Sequence, residues 1–346
     1  MRNLALAGWL RSVGCLAMVW LGLLGSLFVP CEAWSQAIEV ETPRRETQAT
    51  AEPGTSADIN RIERPFLWKL TPEEGAPQYL LGTIHVRDER ILKLHPAITK
   101  ALEETEVLYV ELAPADQVNQ IGFLTLPAGT RLSDKLDAKT IQRIDHQLGL
   151  MREGLNTSGL LPFRVWAWPL MLPNLKAQVA AGNQPVLDML LVEKAIENEW
   201  PVRSLEHVDS QLAGFDKLTD AEQLAFLRAT LDAMEEEETE EEDSLEELVG
   251  IYLRGDLDAL SDEFQEEFFD GSIAKETADK IFAALMTSRN RVMAETIAQA
   301  IEDEPDTTHL FAAGAGHFAV GPTVVELLKE QGWKFERVEP SVDAEE

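Results

Sequence analysis

Residues 78–112, QYLLGTIHVRDERILKLHPAITKALEETEVLYVEL, decide the fold. Gln78 to Ile84 is an apolar run with strand character, and Glu106 to Leu112 is a second one. Val107, Leu108, Tyr109 and Val110 are nearly all apolar, the pattern of a strand buried on both faces in a parallel sheet. Between them His95-Pro96 opens a helix. Pro96 suits the first helical position, and Ala97, Ile98, Ala101 and Leu102 share one face. Strand, helix and strand make an α/β unit.

Working outward, Phe66-Leu67-Trp68-Lys69-Leu70 reads as a strand. Pro72, Gly75 and Pro77 follow it, so it pairs with Gln78–Ile84 as a hairpin. Residues of about 131–305 are helical in pattern. Thr219-Asp220-Ala221-Glu222 is a capping box. One short strand, Pro201 to Leu205, interrupts this region and ends in Glu206. His309 to Ala313 is a strand and Gly314-Ala315-Gly316-His317 a tight turn. Pro322 to Leu328 is a helix stopped near Gly332, and Trp333 to Val338 a last strand. The fold class is therefore α/β, a mixed, largely parallel sheet with flanking helices and a large helical insertion.

Arg2 and Arg11 precede an uncharged apolar run over 12–30, the layout of an export signal. Ser35-Gln36-Ala37 places small residues for cleavage after Ala37. An uncleaved anchor is the alternative, because the run is just long enough to span a bilayer. Residues 38–62 are polar and Pro-containing and read as a linker, 63–340 as the folded domain, and 341–346 as an acidic tail. The expected location is periplasmic or extracellular.

The chain of 346 residues is 45% hydrophobic, enough for a sizeable core. Lys plus Arg is 30 against 61 Asp plus Glu, a formal charge of −31. That charge disfavours a nucleic-acid face or docking on anionic lipid, and favours a cationic or neutral partner such as a basic peptide. The only cysteines are Cys15 and Cys31, both in the export segment. The remainder has no thiol, so a disulfide, a cysteine nucleophile and thiolate-bound metals are excluded there. Ten acids among positions 235–247 read as a solvated helix face or connection, since no EF-hand spacing is present.

Nucleophile-elbow, P-loop, H-E-x-x-H and dinucleotide-binding motifs are absent. What carries chemistry is position. His85, Glu111, Glu206 and His317 each sit at or just past the C-terminal end of an expected strand, where ligands bind in open α/β sheets. If the strands are parallel neighbours, the four side chains converge. Two imidazoles with carboxylates can hold a divalent metal with an open position, or a His can act as a general base on water. Gly82 and His85 repeat the G-x-x-H spacing of Gly314 and His317. Gly82 marks close backbone approach, and Gly314 and Gly316 suit a positive φ or an anion nest. Glu111 in its apolar run needs a cation, metal or donor. Arg289 and Asn290 lie on an amphipathic helix; Arg289 either pairs with Glu111, grips substrate, or is a surface charge. His95 reads as an N-cap, and His146 and His309 as structural.

These residues resemble the TraB/PrgY/GumN family. Tyr79-Leu80-Leu81-Gly82-Thr83-Ile84-His85-Val86 and Tyr109-Val110-Glu111-Leu112 are similar to its opening motifs, and Ala312-Ala313-Gly314-Ala315-Gly316-His317-Phe318 to its closing one. Ser204-Leu205-Glu206, Tyr252-Leu253-Arg254-Gly255-Asp256 and Arg289-Asn290-Arg291-Val292-Met293-Ala294 lie between. Phe318 departs from the family's usual Leu. The resemblance implies a fold like the TIKI metalloproteases and the erythromycin-esterase/ChaN-like proteins. It also implies a catalytic and metal-binding set of His85, Glu111 and His317, with manganese or cobalt as cofactor. Gly82, Glu206, Arg289, Asn290, Gly314 and Gly316 then contact substrate or support that set. The expected function is an exported hydrolase, a metal-dependent peptidase. A metal-free esterase or hydrolase with a His base is one alternative, and a non-catalytic peptide- or pheromone-binding protein another.

Overall fold

The computed structural model describes residues 59–117, 120–181, 184–238, 244–269 and 271–339. The expected export signal, most of the linker, the middle of the acidic run and the tail lie outside them. Six strands form one sheet: β1 (Leu67–Leu70), β2 (Gln78–Thr83), β3 (Val107–Val110), β4 (Val202–Ser204), β5 (His309–Gly314) and β6 (Glu336–Arg337). Their order across the sheet is β4-β3-β5-β2-β1-β6. The pairs β4–β3, β3–β5 and β5–β2 are parallel, whereas β1 is antiparallel to both β2 and β6. The sheet is mixed and largely parallel. The expected hairpin between β1 and β2 is present.

Every residue of β2, β3 and β5 is buried. Because successive side chains alternate faces, full burial means that both faces of these strands are covered. Helix α1 (Pro96–Glu104) links β2 to β3. His95 caps it, its ring accepting the Ala97 amide, and Pro96 takes the first position. Between β3 and β5 lie α2 (Gln120–Leu124), α3 (Ala138–Met151), α4 (Ala167–Ala181), α5 (Leu187–Glu197), α6 (Val208–Leu212), α7 (Asp220–Glu237), α8 (Ser244–Arg254), α9 (Leu257–Phe269), α10 (Lys275–Phe282) and α11 (Ser288–Asp303). Helix α5 packs on β3. The capping box of Thr219 and Glu222 starts α7 as expected. After β5 come α12 (Gly316–Ala319) and α13 (Val324–Glu330).

Two boundaries differ from expectation. The folded body begins before residue 63: Ile62 is buried, Ile59 packs on the core, and the Glu63 amide donates to Leu253 O at 2.8 Å. Two aliphatic residues in an otherwise polar stretch are too weak a periodic signal to reveal this. The last strand is only Glu336–Arg337, because just Trp68 and Lys69 of β1 lie opposite it.

Candidate active site

The parallel order of β2, β3, β4 and β5 points their C-terminal ends in one direction, so His85, Glu111, Glu206 and His317 gather at one edge. The G-x-x-H segments are stitched together. Thr83 lies opposite Gly314, and the Ala315 amide donates to Thr83 O at 2.7 Å. Gly82 is needed for closeness: a Cβ there would lie 2.8 Å from Phe66 Cβ and 3.2 Å from Ala315 Cα. Its carbonyl accepts the Tyr252 hydroxyl at 2.8 Å. Gly314 and Gly316 do not adopt the expected positive φ. A Cβ on Gly316 would stand 2.6 Å from the Phe264 ring, so its role is room for α9. The anion-nest expectation survives in a reduced form, as the Gly314 amide donates to Glu111 Oε1 at 2.7 Å. Phe318, the departure from the family pattern, stacks on Trp68 with 4.9 Å between ring centroids.

Glu111 is the hub. Arg289 donates to its Oε2 at 2.6 Å, and His317 Nε2 lies 3.9 Å from its Oε1. Arg289 also grips Glu206, its Nε donating to both oxygens at 3.0 Å and its second terminal nitrogen to Oε1 at 2.6 Å. Both carboxylates and the guanidinium are buried. The sequence left open whether Arg289 was a surface charge; it bridges two carboxylates from different strand ends. The preceding segment Ala283–Thr287 is wound as a π-helix, a local widening frequent beside functional sites. Asn290 holds His317. Its Nδ2 donates to Pro322 O at 2.7 Å, which orients its Oδ1 toward His317 Nδ1 at 2.5 Å. An amide oxygen only accepts, so Nδ1 carries a proton, and in the neutral ring Nε2 presents its lone pair on the Glu111 side.

His85 is supported by a residue that no sequence signal marked. Its Nδ1 lies 3.0 Å from Asp188 Oδ2, and Asp188 Oδ1 accepts the Thr83 hydroxyl at 2.8 Å. The His85–Asp188 approach is of hydrogen-bond length but off the line of an aligned hydrogen bond, and His85 Nε2 has no hydrogen-bond partner among the described residues. Asp188 belongs to the first turn of α5, about a hundred positions from His85, in an ordinary helical pattern.

The charges separate the two rings. Burial pushes His317 down to about 3, with Arg289 adding to the effect, so it stays neutral. Burial also acts to lower His85, but Asp188 and then Glu111 outweigh it and hold its pKa above the ordinary imidazole value. Glu111 is pushed up by burial and pulled further down by Arg289 and the histidines, for a net lowering. For Glu206 burial prevails over Arg289 and raises its pKa. Asp188 ends below the usual carboxylate range because His85 outweighs its burial.

The donors suit a divalent cation. Two ring nitrogens are directed by partners on their other nitrogen, the arrangement found behind metal-binding imidazoles. A carboxylate has about four lone-pair sites, so Glu111 retains capacity beyond its contacts to Gly314 and Arg289. Two carboxylates, Glu111 and Glu206, share the single guanidinium of Arg289, while Asp188 faces His85. Among the described residues no three His, Cys, Asp or Glu side chains already enclose one point as an ion cage does.

Of the other histidines, His95 is the α1 cap. His309 lies at the opposite end of β5, paired with Gln78 and Glu304. His146 and His207 lie outside the cluster.

The profile of the TraB/PrgY/gumN family matches residues 66–337. "Metalloprotease TIKI1" of Danio rerio is 27% identical over 78% of this chain and 62% of its own length. "Metalloprotease TIKI homolog" of Nematostella vectensis is 24% identical over 80% of this chain and 67% of its own. An "Uncharacterized protein" of Treponema pallidum is 24% identical over 79% of this chain and 82% of its own. The match to the zebrafish relative thus spans less than two thirds of that protein. No solved structure matches the chain.

Proposed function

We propose, from the premise that this chain belongs to the TraB/PrgY/gumN family, that it is a metal-dependent hydrolase of peptide bonds built on His85, Glu111 and His317. The observation that carries the reading is the pair of buried imidazoles beside one carboxylate, each ring with a polar partner at Nδ1, and with His85 Nε2 lacking a hydrogen-bond partner among the described residues. The relatives named metalloproteases support the class of reaction.

His85 Nε2, His317 Nε2 and Glu111 would hold the ion, manganese or cobalt by family resemblance. When bound, a divalent cation supplies polarisation of a carbonyl and acidification of water. The chain does the rest. Asn290 keeps the proton on His317 Nδ1, so that Nε2 remains a donor atom. Arg289 holds Glu111 and Glu206 together and favours the ionised form of Glu111. Glu111 can accept a proton from water at the oxygen nearer His317. Gly82 lets the backbone approach closely, Gly314 donates its amide to Glu111, Gly316 leaves room for Phe264, and Glu206 acts through Arg289.

The remaining expectations join this proposal. We propose too that the fold is related to that of the erythromycin-esterase/ChaN-like proteins, and that residues 1–37 export the chain to the periplasm or beyond. No helix among the described residues is long and apolar enough to cross a membrane. The acidic surface favours a basic peptide, whose binding would weaken with salt.

Metal titration of the full chain tests the reading. One divalent ion per chain, lost in His85→Gln/His317→Gln, is expected. Binding equal in the double variant would refute it. A second reading rests on the same His85 Nε2: a metal-free hydrolase with His85 as base and Asp188 behind it. Full hydrolysis after exhaustive chelation would select it. Tight peptide binding with no cleaved product would select a binding protein.

A further inference from the structure

We propose that Asp188, anchored by Thr83, is the positioning residue that sets the tautomer and orientation of His85. The assignment rests on the reading that His85 Nε2 faces the reacting centre, and its test is separable from that reading.

A carboxylate such as Asp188 accepts and does not donate. With Oδ2 3.0 Å from His85 Nδ1, the proton of the neutral ring belongs on Nδ1, leaving Nε2 bare. Nothing else selects the tautomer, since neither ring nitrogen forms an aligned hydrogen bond among the described residues. Asp188 is itself fixed twice. Its Oδ1 takes the Thr83 hydroxyl at 2.8 Å, and it is the acidic residue of the first turn of α5, where exposed amides favour a negative charge. The N-cap of that helix, Val186, supplies no side-chain acceptor, so Asp188 is the acid at hand. Thr83 gives the G-x-x-H spacing a further content: the residue after Gly82 reaches the acid that governs the residue after Ile84. The Arg87 side chain donates to Gln184 O, tying the same two segments together a second time.

His317 offers an internal contrast. The amide oxygen of Asn290 performs for it the task that a carboxylate performs for His85. The two halves of the site therefore share one tautomer, with the proton on Nδ1 and none on Nε2, and different chemistry behind each ring.

The test is ring-nitrogen NMR of the full, metal-free chain, with the His85 signals identified by their loss in His85→Gln. At a pH high enough to make the ring neutral, wild type is expected to show the His85 proton on Nδ1. Asp188→Ala should move the proton to Nε2 in a large share of molecules while the His309 and His317 signals stay put. Asp188→Asn provides a second variant of unchanged shape. Its Oδ1 remains committed to Thr83, its Nδ2 faces the ring, and Nδ1 must then accept, again giving protonated Nε2. A His85 still protonated at Nδ1 in either folded variant overturns the assignment. In the metal-loaded chain the same substitutions should weaken metal affinity by about 10–100-fold, the usual effect of removing a partner behind a ligating histidine. The tautomer is read without metal or substrate. A chain that cleaves nothing would therefore refute the proposed function and leave the role of Asp188 standing. Unchanged tautomers would do the reverse.

Discussion

Both ends of the parallel strands carry a buried histidine near a carboxylate and an arginine. At the N-terminal end His309 is fully enclosed and both ring nitrogens are engaged, Nδ1 with Gln78 at 2.9 Å and Nε2 with Glu304 at 3.3 Å. Arg203 grips Glu304 through two nitrogens and also reaches the Tyr109 hydroxyl. At the C-terminal end the same residue types are arranged differently. Asn290 bonds His317 Nδ1, Asp188 approaches His85 Nδ1 at 3.0 Å, and His85 Nε2 has no hydrogen-bond partner among the described residues. A closed network stabilises a sheet; a network with a buried donor atom to spare is organised around something else. Leaving such an atom unmatched costs about 1–3 kcal/mol, which a purely structural site would not retain.

The largest expected contrast is catalytic. His85→Gln should lower peptide hydrolysis by about 10²–10⁴-fold, the range for removing an acid–base group, with the fold intact. His309→Gln should leave kcat unchanged and lower stability by about 1–3 kcal/mol, seen as a shifted urea midpoint. Equal losses of activity in the two would erase the distinction between the ends.

The arginines come next. Arg289→Met strands Glu111 and Glu206 in the interior, and breaking a buried pair costs about 3–5 kcal/mol. Adding Glu206→Gln should recover part of that loss. Arg203 and Glu304 are 40% and 37% exposed, so Arg203→Met should cost no more than about 1 kcal/mol. Denaturant unfolding of the three variants ranks them. Gly82→Ala follows, at about 1–3 kcal/mol, because its new methyl meets Phe66 and the Ala315 backbone.

The remaining effect is a pH dependence. His317 titrates near 3 in the folded chain and near the ordinary value of about 6.5 when unfolded. The unfolded state then binds the extra proton, so the His317 contribution rises with pH between those values and is flat above them. His85 runs the other way. Its folded pKa is raised, so its contribution is present below about 6.5 and fades as pH climbs through the folded value. His317→Gln should therefore flatten the rise of stability below about pH 6.5, and His85→Gln should remove a decline above it. Urea midpoints across that range read both.

Strand-end residues were legible because the apolar runs around them are nearly pure, so a single polar residue at the end of each is conspicuous. That reasoning reached His85, Glu111, Glu206 and His317, and the parallel order supplied the convergence on which it depended. Arg289 was visible as a helix residue, but its grip on Glu206 depends on how α11 lies against the sheet, which periodicity does not encode. Asp188 was invisible for the same reason: an acid in the first turn of a helix is ordinary. Gly82 was marked for close approach, as observed, whereas the positive φ expected of Gly314 and Gly316 is absent. At Gly316 the constraint is the Phe264 ring rather than the backbone angle. Ile59 and Ile62 entered the core from a stretch whose composition reads as linker.

The most direct test is cleavage of a peptide library by the full, manganese-loaded chain, comparing wild type with His85→Gln and His309→Gln. Products from wild type and His309→Gln, with none from His85→Gln, are predicted. Equal cleavage by all three, or none by the wild type, would contradict the assignment of hydrolysis to the C-terminal edge of the sheet.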